Sequence, residues 1–170
     1  MRLDEKNCII LNLLQKDCRM SITDIAKQVN LSIDSTKKRI EKMKNTVFFP
    51  RIQLRPRHFG YNNIVDVKIK LRNHTNDDTN KFIAYLRQHP RIVEIFQISG
   101  SWDFSIVMIA KNGEDLGALS SEIRSKFNTI ITEWAESLTT FAHKFEEYDM
   151  MKLIDRTDQE SKQKRVGYKE

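Results

Sequence analysis

Apolar residues in the first sixty positions recur at helical intervals. Ile10, Leu11 and Leu14 form a stripe with Cys8 beside it, which predicts a helix starting near Asp4. "QKDCRM" breaks the pattern. Ser21, with Asp24 three residues on, has the spacing of a capping box in which Asp replaces the usual Glu. Ile22, Ile25, Ala26 and Val29 follow at helical spacing, and Asn30 and Leu31 make a tight connection. Ser32 is then placed to cap a third helix. On that helix Ile33, Thr36, Ile40 and Met43 are expected to be buried. At about 100° per residue, Asp34, Lys38, Glu41 and Lys42 turn outward, flanked by Ser35, Lys37 and Arg39. Two short helices joined by a tight turn, the second basic on its outer side, predict a helix-turn-helix.

After residue 46 the pattern changes. Residues 47–63, "VFFPRIQLRPRHFGYNN", hold two of the chain's three prolines and read as a linker that begins as an apolar strand. Phe48 and Phe49 on an exposed strand would invite aggregation, so a second copy of the chain is expected to cover them. Val65, Val67, Ile69 and Leu71 alternate with Asp66, Lys68 and Lys70, as in a strand with one wet face. "NDDTNKFIAYLRQHP" reads as a helix capped near Asp77, with Phe82, Ile83 and Leu86 inward. "RIVEIFQIS" and "SWDFSIVMIAK" read as strands. Asn112 or Glu114 opens a helix with Leu116, Leu119, Ile123 and Phe127 inward, and "TEWAESLTTFAHKFE" reads as a last strand. The order β-α-β-β-α-β is ferredoxin-like. The expected class is α+β, with a winged helix-turn-helix at 1–46, a linker at 47–63, a ferredoxin-like domain at 64–149 and a polar tail at 150–170. Such a sheet carries both helices on one face, and two open faces stacked together would make a homodimer.

Charge adds a partner to this outline. The net charge is +6, yet residues 1–60 hold 13 Lys and Arg against 6 Asp and Glu, a net of +7, while residues 61–170 hold 16 against 17, a net of −1. A basic first third suggests a module for nucleic acid attached to a domain with another job. The outward helix is the right width for the major groove of double-stranded DNA. Lys37, Lys38 and Lys42 suit phosphates. Ser35 is placed to meet a base edge, while Thr36 packs. Asp34 either accepts from a cytosine amino group or favours the positive end of its helix. Arg39 either contacts phosphate or pairs within the domain. Ser21 and Ser32, at the starts of the two helices, complete the candidate DNA-binding set. "KQKR" in the tail would add weak attraction for DNA.

Other chemistry is sparse. Cys8 and Cys18 lack metal-ligand spacing and read as reduced thiols, and no apolar run approaches the ~20 residues of a membrane helix, so a cytoplasmic protein without a membrane partner is expected. His58, His74, His89 and His143 are scattered, with no catalytic constellation and no metal site. "SGSWDF", residues 99–104, stands out. Gly100 permits a positive φ, and Asp103 follows the turn. By itself this is a hairpin with Asp103 in an Asx-type bond.

The stretch "LDEKNCIILNLLQKDCRMSITDIAKQVNLSIDSTKKRI" resembles the start of the Lrp/AsnC, or feast/famine, regulators. The resemblance rests on Leu3-Asp4, Ile10-Leu11, Leu14, Arg19, Leu31-Ser32 and Arg39-Ile40 at matching spacing. Ser35-Thr36 stands where the family usually has Thr-Val, and "KNTVFF" lacks the family's glycine before the next strand. Phe59-Gly60-Tyr61 resembles the family's Leu-Gly before the second domain, and Gly100-Ser101-Trp102-Asp103 its Gly-x-Tyr-Asp. The resemblance implies a sequence-specific transcription regulator. It would act as a dimer or as a tetramer or octamer, with an amino acid as effector and no other cofactor. It also implies that Asp103 takes the ligand's ammonium, that amides near Gly100 and Ser101 take its carboxylate, and that Trp102, Thr139 and Thr140 line the pocket. Two other functions share these features. Siroheme decarboxylases use the same two-domain layout but need no basic recognition helix. A sequence-tolerant DNA-coating protein would have such a helix.

Overall fold

In the computed structural model of the protein, which describes residues 3–153, the chain divides into two compact units. One comprises the residues up to Ile52 and those from Lys144 onward; the other is Gln53–His143.

The first unit is built on three capped helices: α1 (Glu5–Lys16), α2 (Ile22–Val29) and α3 (Ile33–Met43). The caps anticipated at Ser21 and Ser32 are made, and Asp4, where the first helix is expected to start, caps it. Asp4, Ser21 and Ser32 accept from the amides of Asn7, Asp24 and Ser35. In the second cap Asp24 Oδ2 receives the Ser21 hydroxyl at 2.6 Å. Asn30 ends α2 at φ 52°, a left-handed position that Asn tolerates. Ile10, Leu11, Ile25, Val29 and Met43 form the core. Thr36 is fully buried, its hydroxyl bonded to the Ser32 carbonyl at 3.0 Å. Ile33 is 52% exposed, against expectation. It occupies the first helical position, and Leu31, in the turn before it, packs on the core instead.

Two further differences concern this unit. No strand forms between Val47 and Arg55, so the described residues contain no wing. A lone parallel bridge joins Lys44 and Phe48, while Phe49, Ile52 and Leu54 stay exposed. A strand needs a neighbour to satisfy its amides, and beyond that single bridge the segment has no strand beside it. The tail expected from residue 150 begins instead with a helix, α6 (Met150–Leu153), seated on α1. Gln15 exchanges two hydrogen bonds with the Tyr148 backbone, at 2.9 and 3.0 Å, and Asn12 Oδ1 accepts from the Met150 amide at 2.9 Å. The basic "KQKR" lies outside the described residues.

The second unit follows the β-α-β-β-α-β order: β1 (Asn63–Leu71), α4 (Asn76–Gln88), β2 (Ile92–Gln97), β3 (Phe104–Ala110), α5 (Gly113–Lys126) and β4 (Ile131–Leu138). The sheet is antiparallel in the order β2-β3-β1-β4. Alternation in β1 sends Val65, Val67, Ile69 and Leu71 into the core, where they meet Phe82, Leu86, Leu119 and Ile123. Phe82 lies edge-on to Phe104 and to Phe127, with centroids 5.6 and 4.9 Å apart. Helix α4 is capped at Thr75, with a full capping box to Asp78, two residues before the expected site. Strand β4 ends at Leu138, well short of residue 146. The Thr139 amide makes a last bond to Ile64, and β1 starts at Asn63, so little of β1 remains to pair with.

Candidate nucleic-acid interface and ligand turn

On the outer side of α3, Asp34, Ser35, Lys37, Lys38 and Lys42 are all exposed. Among the described residues none of these side chains has a hydrogen-bond or ion-pair partner, although Asp34 and Lys38 are spaced for an i,i+4 pair. Three other cations of the unit are engaged: Lys27 pairs with Asp24 at 3.9 Å, Lys44 with Glu41 at 4.0 Å, and Lys6 donates to the Val29 carbonyl at 2.6 Å. Ser21 and Ser32 spend their hydroxyls on capping.

Arg39 divides from this group. Its Nη1 donates to Asp4 Oδ2 at 2.6 Å and to Asn7 Oδ1 at 2.9 Å. Burial alone would raise the Asp4 carboxyl, but the Asn7 amide and the Arg39 guanidinium outweigh it and hold the group below its ordinary value. Of the two roles open to Arg39 from the sequence, the structure forms the pairing within the domain. Asn7, 7% exposed, was not singled out from the sequence. Its signal there is a polar residue beside the apolar α1 stripe.

The turn between β2 and β3 is held by Asp103. Gly100 adopts φ 121°, which a side chain would strain. The Asp103 amide donates to the Ile69 carbonyl at 3.0 Å, and its own carbonyl accepts from Ile98 at 2.9 Å. Asp103 Oδ2 accepts from the Leu71 amide at 2.7 Å and Oδ1 from Lys70 Nζ at 3.1 Å. Burial pushes this carboxyl up, yet the Leu71 amide and Lys70 pull it further down, and the balance lies below the ordinary value. The bonds of the carboxylate thus run across to β1, in place of the Asx bond expected within the turn.

The candidate ligand residues are not gathered in one chain. Gly100 and Ser101 are exposed and Trp102 is half-buried beside Asp103, at the Leu71 end of β1. Thr139 sits at the Ile64 end, with its carbonyl and that of Thr140 accepting from Arg57. Ile64 and Leu71 are seven residues apart, so at about 3.3 Å per residue the two groups lie roughly 23 Å from each other. A shallow cavity of about 340 Å³ opens between α5 and the start of β4, lined by Arg124, Asn128, Glu133 and Trp134 among others. Ile131 in its wall pairs with Leu71, so the concave space lies toward the Asp103 end. Among the described residues, no group of three or more His, Cys, Asp and Glu could hold a metal ion, and no helix is long and apolar enough to cross a membrane.

Comparison with known proteins covers both units. A family model of the AsnC-type helix-turn-helix domain matches residues 3–44, and one of the Lrp/AsnC ligand binding domain matches residues 65–132. The chain is 26% identical over 130 residues to the HTH-type transcriptional regulator LrpA of Pyrococcus horikoshii, spanning 75% of this chain and 90% of that one. It is 25% identical over 104 residues to DecR, a DNA-binding transcriptional activator of Escherichia coli, spanning 60% and 68%. Its fold matches an AsnC family transcriptional regulator from Agrobacterium tumefaciens, with a TM-score of 0.79 at 23% identity over 89% of this chain and 100% of the other. It also matches a regulator from Neisseria meningitidis solved in complex with L-Met, with a TM-score of 0.76 at 16% identity over 85% and 94%.

Proposed function

The chain belongs to the Lrp/AsnC family of transcriptional regulators, and from that premise we propose that it binds duplex DNA by laying α3 in the major groove. Lys37, Lys38 and Lys42 neutralise phosphates. Ser35 meets a base edge, and Asp34 favours the positive end of α3. Ser21 and Ser32 start the two helices at the DNA surface. The observation that carries this reading is the set of three exposed lysines on one helix without partners among the described residues. Partnerless cations keep their full charge for an external anion.

The protein acts as a homodimer or a larger assembly. Phe49, Ile52, Leu54, Phe141, Phe145 and Tyr148 are each at least half exposed, and a second copy would remove them from water. Two α3 helices would then meet successive major grooves about 34 Å apart. The second unit takes a small effector, an amino acid, at the Gly100–Asp103 turn. The match of that unit to a ligand binding domain supports this. Because Asp103 is engaged by Lys70, an ammonium group must share or displace that partner. Thr139 and Thr140 reach such a pocket only from another copy. The protein works in the cytoplasm by binding, without catalysis.

Selection of bound duplexes from a random pool by the full-length protein, with and without each of the twenty amino acids, tests the whole reading. A recovered consensus whose affinity shifts with one amino acid is the expected result. Recovery of random sequence would mark a DNA-coating protein, and no DNA retention together with a visible absorbance change on adding siroheme would mark an enzyme.

A further inference from the structure

The first turn of α1 grips both helices of the helix-turn-helix. Asp4 accepts from the Asn7 amide at 2.8 Å while its other oxygen holds Arg39, from the middle of α3, at 2.6 Å. Asn7 Oδ1 takes the same guanidinium nitrogen at 2.9 Å. Between them in sequence, Lys6 Nζ reaches the Val29 carbonyl, at the last residue of α2, at 2.6 Å. Three residues of one rigid turn therefore fix the end of α2 and the middle of α3 together.

This arrangement opposes any shift of Arg39 toward a phosphate. Asn7 is 7% exposed, and stripping a buried polar group of its partner leaves it unsatisfied and destabilises the fold. It also sets how α3 is turned about its own axis. Side-chain tips lie ~5.5 Å from a helix axis, so a rotation of about 20° would displace them by about 2 Å. A base hydrogen bond is lost over that distance, whereas a long lysine follows its phosphate.

On the reading that α3 enters DNA, we propose that Arg39 is a positioning residue. With Asp4, Lys6 and Asn7 it sets the rotation of α3 that brings base-reading groups into register, and it makes no phosphate contact itself. The test uses full-length wild type, Arg39→Ala and Asp4→Asn; asparagine still caps α1 and lies away from the outer side of α3. Affinities are measured on the duplex selected from the random pool and on a random-sequence duplex of equal length. The measurements span a salt series at a temperature where circular dichroism shows every variant folded. Both variants are expected to lose about tenfold in the selected-to-random ratio, with random-duplex affinity and salt slope as in wild type. A salt slope reduced by about one unit in Arg39→Ala would identify a phosphate contact and overturn the proposal. An unchanged ratio in folded Asp4→Asn would reduce the contacts to simple stabilisation and overturn it as well. Should Arg39→Ala not fold, Asp4→Asn and Lys6→Met decide the matter by the same ratio. A wild type that binds neither duplex refutes the underlying DNA reading; wild-type binding with either overturning result refutes this inference alone.

Discussion

Two cationic strips differ in how they are answered. On β1, Lys68 meets Asp66 at 2.9 Å and donates to Ser105 at 2.7 Å, and Lys70 meets Asp103 at 3.1 Å. On α3, Lys37, Lys38 and Lys42 meet nothing among the described residues. Both strips are wet. The strand places its residues two apart on one face and beside β3, so counter-charges arrive from its own strand and from the end of the next. The helix offers Asp34 and Glu41 as neighbours, yet Asp34 stays unused and Glu41 pairs with Lys44 instead. A fold that pairs one strip internally and leaves the other open has separated a structural use of lysine from a use that needs an outside anion.

The strongest way to break that comparison is to remove the open strip. Alanine at Lys37, Lys38 and Lys42 together should cut DNA affinity by about two orders of magnitude near 0.15 M salt and flatten the salt dependence by roughly three units of slope, read by fluorescence anisotropy. Thermal stability should barely move, since no partner is left behind. A slope unchanged by the triple variant would place the DNA elsewhere.

The paired strip should behave in the opposite way. Asp103→Ala strands the Leu71 amide and the Lys70 ammonium, and should cost the second unit about 1–2 kcal/mol in urea denaturation. Its salt slope on DNA should match wild type. The same residue gives a pH test. Its folded pKa lies below the ordinary 3.8, so its carboxylate stabilises the fold above that value and loses this contribution as pH falls through the folded pKa. Wild type should therefore lose stability on acidification from pH 5 to 3, and Asp103→Asn should lose less over that window. Equal losses would assign the acid sensitivity to other carboxylates. Smallest of all should be Lys68→Met. Its side chain is 40% exposed in its ion pair, so removing it should change stability by less than about 0.5 kcal/mol. A larger cost would mean that the open sheet face is buried in the assembled protein.

Much of this was legible in residue order. Ser21 and Ser32 could be assigned as caps, and Asp4 as the start of α1, because a cap bonds to an amide two or three residues on. The buried positions of β1 followed from a period of two. The outward set of α3 followed from the helical period, and its lysines could be named before any coordinate. Where sequence reasoning misplaced residues, packing or pairing with other elements was the usual cause. Ile33 lay on the predicted stripe, but Leu31 packs on the core in its place. Strand β4 had a strand-like sequence to residue 146, yet it stops near the residue where β1 begins. Thr139 and Thr140 looked like companions of Asp103 until the sheet put them at the other end of β1.

The sequence by itself determined the caps of α2 and α3, the strand alternation, the element order and the basic outer side of α3, because each depends on neighbours within one or two turns. Tertiary structure alone decided which cations are spent on distant partners. Arg39 is paired because Asp4, thirty-five residues earlier, folds beside it, and Lys70 because Asp103, thirty-three residues later, closes the same sheet end. Charge acts through space across a few ångströms, and the separation of two residues along the chain says nothing about that distance until the chain has folded.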